Sequence, residues 1–153
     1  MLRIDVLFLL LATLCLAVGV SMGIGMGIAH DFQFAPVHAH LNLVGWASLA
    51  LYGLAYRAYP ALNRSRLGPA HLIAASLGAV LFPVGIYLSI AHETVGLAIM
   101  GSLIWLAGVL IFLLNLVWTV VLGAPAGIAL RRSELAYGQD DPGFGPVLSE
   151  NVR

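Results

Sequence analysis

The residues of this chain best suited to chemistry are its histidines, which number five. His38 and His40 stand two residues apart inside a long apolar segment, whereas His30 and His92 border the ends of such segments. Neutral imidazole is a good ligand for iron, copper and zinc. An ionisable group within a membrane-length apolar segment is costly to bury and is therefore usually functional. We predict that His38, His40, His30 and His92 hold a metal ion or a haem iron.

The spacing of His38 and His40 limits how the pair can act. Pro36 is suited to begin a helix here, because its missing N–H costs nothing in the first turn. On a regular helix two residues turn by about 200°, so the imidazoles cannot chelate one ion and instead serve sites on two sides of the helix. Asn42 lies on the His38 face, where it either supports His38 as a hydrogen-bonding partner or bonds a neighbouring helix. Gly45 on that face has no side chain and leaves a gap. A flat macrocycle lying along the helix requires such a gap, and a close contact with another helix requires it equally.

Long apolar segments must position these histidines. Of 153 residues, 61% are hydrophobic and only 9% are charged, whereas a soluble domain carries about 25% charged residues. Four runs, at about 6–29, 37–56, 70–91 and 95–122, are long enough for membrane helices of about 20 residues. We predict an all-α integral membrane protein, a four-helix bundle within residues 1–130 that lies in a lipid bilayer. The formal net charge is zero, which excludes the basic surface that nucleic acid requires.

The arginines predict the orientation of the bundle. The two connections at 29–36 and 92–94 contain no arginine, but they do contain Asp31 and Glu93. Arginine is retained on the cytoplasmic side of a membrane protein. We therefore expect both termini in the cytoplasm of a bacterial-type inner (plasma) membrane, the histidine cluster on the outer side, and a flexible cytoplasmic tail over residues 131–153. Six arginines near one set of helix ends carry this prediction: Arg3, Arg57, Arg64, Arg66, Arg131 and Arg132.

Small residues predict how the helices pack. In lipid, helices associate by close packing rather than by the hydrophobic effect. Gly19, Gly23 and Gly27 recur every four residues in the first span. They predict a packing seam whose partner is either another helix of this chain or a second copy. Asn115 predicts an interhelical hydrogen bond, and we interpret His71 as a structural residue at the inner interface.

Three of the apolar runs resemble consecutive helices of a known family. The run VHAHLNLVGWASLALYGLAYRAYP resembles the tenth transmembrane helix of subunit I of the haem–copper (cytochrome c) oxidases, and AHLIAASLGAVLFPVGIYL is similar to the eleventh. The fourth run resembles the twelfth helix, so the likeness covers roughly residues 36–120. The matching positions in the first two runs are His38, His40, Gly53 and Pro60, followed by His71, Gly78, Phe82 and Pro83.

The resemblance implies a role for each histidine of the pair. In the family the first ligates the high-spin haem and the second the low-spin haem. By resemblance, His38 faces an oxygen-site haem and His40 faces an electron-transfer haem. The family's copper ligands and its other low-spin ligand come from earlier helices without a counterpart in this sequence. We therefore do not expect this chain to reduce oxygen alone, and its status as an enzyme stays open.

The resulting hypothesis is a haem-binding membrane protein, with b-type haem, in electron transfer or respiratory-oxidase support. His30, His92 or the equivalent histidine of a second copy completes the axial ligation, and respiratory oxidase subunits are the other expected partners. Asp31 and Glu93 share the predicted level of the histidines, so a copper-handling protein with a mixed site is one alternative. A cofactor-free accessory or scaffold subunit is the other.

Overall fold

The computed structural model describes the backbone of residues 3–139 and the side chains of residues 3–121. All regular structure in that part of the chain is helical, which confirms the all-α prediction there. Five α-helices, a π-helix and a 3-10 helix follow one another in the described residues. Their order is α1 (Ile4–Ala29), α2 (Ala35–His40), the π-helix (Leu41–Ser48), α3 (Leu49–Ala58), the 3-10 helix (Pro60–Arg64), α4 (Leu67–His92) and α5 (Gly96–Gln139).

Three described helices are long and apolar enough to cross a membrane, namely Ile4–Ala29, Leu67–His92 and Gly96–Val121. Their bounds agree within a few residues with the predicted first, third and fourth spans. The composition of these helices indicates a membrane protein.

The second predicted span is divided into shorter segments. Helix α2, the π-helix and α3 follow one another without an intervening loop from Ala35 to Ala58. Pro36 lies in the first turn of α2, as its missing N–H predicts. None of the three segments is itself long enough to span a membrane, so the fourth crossing and the orientation stay predictions.

Helix α5 continues beyond the predicted end of the fourth span. Its backbone is helical to Gln139, and it includes residues 131–139, which the composition assigned to a flexible tail. The extension contains Ala, Leu, Arg and Glu, which favour helix. Residues 140–153 of the predicted tail lie outside the described range. By internal contacts the chain up to Val117 forms one compact unit and the chain from Trp118 another.

Glycines allow the helices of the first unit to approach closely. A Cβ atom built on Gly45 would lie 2.7 Å from Cβ of Cys15, and one on Gly53 would lie 2.9 Å from the carbonyl oxygen of Asp5. These contacts join α1 to the π-helix and α3. Between α4 and α5, a Cβ on Gly78 would lie 2.7 Å from Cα of Trp105, and one on Gly101 would lie 2.6 Å from the nitrogen of Phe82. Packing therefore depends on these missing side chains.

Candidate functional site

His38 lies on the side of α2 that faces α1. Its Nδ1 is 2.8 Å from the carbonyl oxygen of Gly19. A Cβ atom on Gly23 would lie 2.8 Å from Cε1 of the imidazole, so the ring occupies the space that this glycine leaves. Two of the three seam glycines thus accommodate the histidine segment of the same chain, whereas a Cβ on Gly27 would meet nothing within 4 Å. The half-buried His38 ring is fixed by α1.

Asn42 supports His38 from the following turn. Its Nδ2 donates a hydrogen bond to the carbonyl oxygen of His38 at 2.8 Å. The same nitrogen is 3.4 Å from Nδ1 and 3.5 Å from Nε2 of the imidazole. Asn42 also fills the space beside Gly19, where a Cβ would lie 2.7 Å from Nδ2. Of the two sequence interpretations, the structure favours the one in which Asn42 positions His38.

His40 is directed towards α4 rather than α1. Its Nδ1 is 2.7 Å from the carbonyl oxygen of Pro36, one turn earlier. Its ring meets Phe82 of α4 edge-on, with centroids 4.7 Å apart and an interplanar angle of 68°. The pair therefore lies against two different neighbouring helices, as the spacing along a helix predicts.

The two carbonyl contacts fix which ring nitrogen of each histidine carries the proton. A carbonyl oxygen only accepts hydrogen bonds, so a short contact from Nδ1 requires an N–H at that atom. Nε2 of the neutral ring then keeps its lone pair. A metal-binding histidine is usually oriented in this way, with one nitrogen donating to a carbonyl and the other free to coordinate. His38 and His40 both have the contact from Nδ1 to a carbonyl oxygen, while Nε2 of His38 also lies 3.5 Å from Nδ2 of Asn42.

A π-helix begins directly after His40. Over Leu41–Ser48 the helix is wider than an α-helix, and Oγ of Ser48 donates to the carbonyl oxygen of Leu43 at 2.8 Å. Short π-helical segments are frequent at functional sites. Gly45 lies in this segment and is buried against Cys15. The gap at Gly45 is therefore filled by a close helix contact within the chain, the second of the two interpretations left open by the sequence.

An apolar groove of about 780 Å³ lies beside the histidine pair. Val37 and Leu41 form part of its wall between α1 and α4. Neither His38 nor His40 lines the groove, because each imidazole turns towards a flanking helix. A molecule in the groove would contact the neighbours of the histidines along the chain and not the rings.

His30 and His92 remain at the surface. His30 ends α1 in the left-handed conformation, with φ of 51°, and is exposed. His92 is the last residue of α4 and is also exposed. Within the described range, no three or more His, Cys, Asp or Glu residues are grouped so as to hold a metal ion. The predicted four histidines thus do not form one cluster within this chain, and the mixed site with Asp31 and Glu93 gains no support.

A second polar cluster was not predicted from the sequence. His71 is fully buried, and its Nδ1 is 3.1 Å from the hydroxyl of Tyr56. Nε2 of His71 has no hydrogen-bond partner among the described residues. Nδ2 of Asn115 reaches the hydroxyl of Tyr56 at 3.4 Å and the carbonyl oxygen of Leu62 at 3.1 Å, which confirms the predicted interhelical bond. The full burial of His71 agrees with its interpretation as a structural residue, and its level in the membrane stays a prediction.

Aromatic rings enclose this cluster. The His71 ring is 4.5 Å from the Tyr52 centroid, and 5.0 Å from those of Phe8 and Phe112. These rings come from α1, α3 and α5, so His71 is at the meeting point of the helices. The sequence signal was that Tyr56, His71 and Asn115 lie near corresponding ends of three predicted spans.

Comparisons with known proteins do not extend these observations. No protein-family model, no curated protein and no solved structure matches the chain. The resemblance to the oxidase helices therefore stays a prediction that rests on the quoted residues alone.

Proposed function

We propose that this protein binds haem through His38, His40 or both and acts in one-electron transfer or in support of a respiratory oxidase. The proposal includes four membrane crossings, with α2, the π-helix and α3 together as the second. It also places both termini in the cytoplasm and the histidine pair near the outer face, since the arginines lie at the opposite helix ends.

The orientation of the imidazoles carries this proposal. Nδ1 of His38 contacts the carbonyl oxygen of Gly19 at 2.8 Å, and Nδ1 of His40 contacts that of Pro36 at 2.7 Å. Both rings are thereby held before any ligand arrives, and a ligand on Nε2 of His38 would displace the amide of Asn42, which lies 3.5 Å from that atom. Preorganised ligands of this kind reduce the entropy that is lost when a metal binds.

Each histidine of the pair offers one axial ligand to a haem, on its own side of the helix. A six-coordinate b-type haem needs two axial ligands. Because His38 and His40 lie against different helices, one haem cannot use both rings of one chain. Each ring is half-buried, so a haem reaches it from the outside of the helix bundle. A bound haem iron would supply one-electron chemistry at this position.

The second axial ligand comes from outside the pair. A homodimer would provide the same histidine of the partner across a two-fold axis. His30 and His92, exposed at the ends of α1 and α4, are the alternatives within the chain. A stoichiometry of about one haem for every pair of chains would favour the dimer, since a shared haem is ligated by both copies.

An optical spectrum of the detergent-purified chain tests the proposal. We expect a reduced b-type spectrum that is lost in His38→Ala or His40→Ala, while both variants elute from size exclusion like the parent chain. His30→Ala and His92→Ala each remove an exposed imidazole that is a candidate for the second axial ligand. Loss of the spectrum in one of these variants identifies that ligand, and a normal spectrum in both favours the homodimer.

Two outcomes contradict haem binding. Copper bound in stoichiometric amount without a Soret band would favour the copper-handling alternative. A purified chain that binds neither copper nor haem, even when haem is added during refolding into detergent, would leave the cofactor-free scaffold as the remaining hypothesis.

A further inference from the structure

A charged cavity lies at the helix ends remote from the histidine pair. Its volume is about 330 Å³, and Arg3, Asp5, Arg57 and Asn63 are among its lining residues. This volume falls within the range of about 300–1,000 Å³ that is common for small-molecule sites. The cavity joins the beginning of α1 to the end of α3 and the 3-10 helix that follows.

The charges of this cavity are unequal. Asp5 is its only lining carboxylate among the described residues, and its Oδ1 is 3.4 Å from Nε of Arg3. Nη1 of Arg57 is 3.9 Å from Oδ2 of the same carboxylate. The two arginine side chains are 67% and 74% exposed, whereas that of Asp5 is 11% exposed. One positive charge is therefore not compensated, and both guanidinium side chains are accessible from outside the protein.

The cavity walls hold their shape through local contacts. Nδ2 of Asn63 donates to the carbonyl oxygen of Tyr56 at 3.3 Å, which fixes the amide against the end of α3. Pro60 and Pro69 line two other sides, and their rings restrict the backbone there. The backbone that surrounds the two arginines is thus held in a defined conformation.

We propose that this cavity binds the phosphate group of an anionic ligand, and that an anionic phospholipid headgroup is its source in the membrane. Guanidinium groups match phosphate oxygens in geometry and in charge. The cavity lies where the apolar helices α1 and α4 begin, which is the level of lipid headgroups around a membrane helix. Basic pockets between helices at this level bind anionic lipids. The proposal does not depend on haem binding.

Substitutions of opposite sign test the site. The full-length chain in a neutral detergent is titrated with phosphatidylglycerol, with phosphatidylcholine and with inorganic phosphate, and binding is followed by native mass spectrometry and by thermal unfolding. Arg3→Gln and Arg57→Gln should each weaken binding of phosphatidylglycerol about fivefold. Asp5→Asn should strengthen binding, because it removes the carboxylate that competes for both guanidinium groups.

Arg64→Gln is the matched control. Arg64 lies in the 3-10 helix that contributes Pro60 and Asn63 to the cavity, but Arg64 itself does not line the cavity. It should bind phosphatidylglycerol like the parent chain. Binding of inorganic phosphate with the same response to the variants would identify a free anion as the ligand. An equal loss in Arg64→Gln and Arg57→Gln would overturn the proposal, because a diffuse positive surface responds to the loss of either charge. No gain in Asp5→Asn would also overturn it, because the carboxylate would then not compete for the guanidinium groups that bind the phosphate.

Discussion

The hydroxyl of Tyr56 lies 3.1 Å from Nδ1 of His71, and both side chains are buried where α1, α3, α4 and α5 meet. Nδ2 of Asn115 points at the same hydroxyl oxygen, so the hydroxyl proton is directed towards the imidazole. A buried hydrogen bond of this kind contributes little net energy, but removing one partner leaves the other unsatisfied. The pair therefore contributes mainly to the specificity of helix packing.

Tyr56→Phe should lower the free energy of unfolding by about 1–3 kcal/mol, because Nδ1 of His71 loses its partner in the core. Thermal and denaturant unfolding in detergent, followed by circular dichroism, measures the change. Tyr59→Phe removes the hydroxyl of an exposed tyrosine and should alter the stability by less than about 0.5 kcal/mol. Equal effects of the two substitutions would show that the buried contact is unimportant.

The double variant Tyr56→Phe/His71→Phe should lose less stability than the sum of the two single variants. Replacing both partners by apolar rings leaves neither unsatisfied, whereas each single change leaves one. The expected coupling is about 0.5–3 kcal/mol, from the same unfolding measurements. Additive effects would mean that the contact between the two side chains is not formed.

Gly23→Ala should reduce the affinity for haem without unfolding the chain. The added methyl would lie 2.8 Å from Cε1 of His38 and must move the imidazole away from the carbonyl oxygen of Gly19. Gly27→Ala is a matched control in the same helix, because a Cβ there meets nothing within 4 Å. Haem titration followed by the Soret band compares the two. A normal Soret band in Gly23→Ala would argue against His38 as an axial ligand.

Gly101→Ala should destabilise the packing of α4 against α5 by about 1–3 kcal/mol, since the methyl would lie 2.6 Å from the backbone nitrogen of Phe82. Backbone atoms cannot move aside as a flexible side chain does. Gly25→Ala meets nothing within 4 Å and should stabilise α1 by about 0.5–1 kcal/mol through helix propensity. Unfolding measurements should therefore show a lower stability for Gly101→Ala and a higher stability for Gly25→Ala than for the parent chain.

The sequence predicted the features that depend on local pattern. Hydropathy placed α1, α4 and the membrane-length part of α5 within a few residues, because each is a single long apolar run. The seam formed by Gly19 and Gly23 was predicted from its four-residue period, and the structure identifies its partner as the histidine segment of the same chain. The directions of His38 and His40 followed from the turn of a helix.

Features that depend on tertiary pairing were not predicted. His71 and Tyr56 are 15 residues apart in the chain, and only the packing of α4 on α3 brings them together. The ion pair of Asp5 with Arg57 joins the beginning of α1 to the end of α3. From the sequence, the arginines predicted only the orientation in the membrane, because their positions along the chain do not show which carboxylate each of them contacts.

The wide turns of Leu41–Ser48 set the rotation of the residues that follow them in the continuous helical segment up to Ala58. An α-helix advances by about 100° per residue and a π-helix advances by less, so regular turns with the same number of residues would rotate Tyr56 away from His71 and leave His38 and His40 where they are. The helical segment thus presents His38 and His40 in one rotation before the π-helix and Tyr56 in another rotation after it. If this segment were grafted into another helix bundle, the π-helix would have to be included. Without it, His38 and His40 could not contact their neighbouring helices while Tyr56 contacts His71.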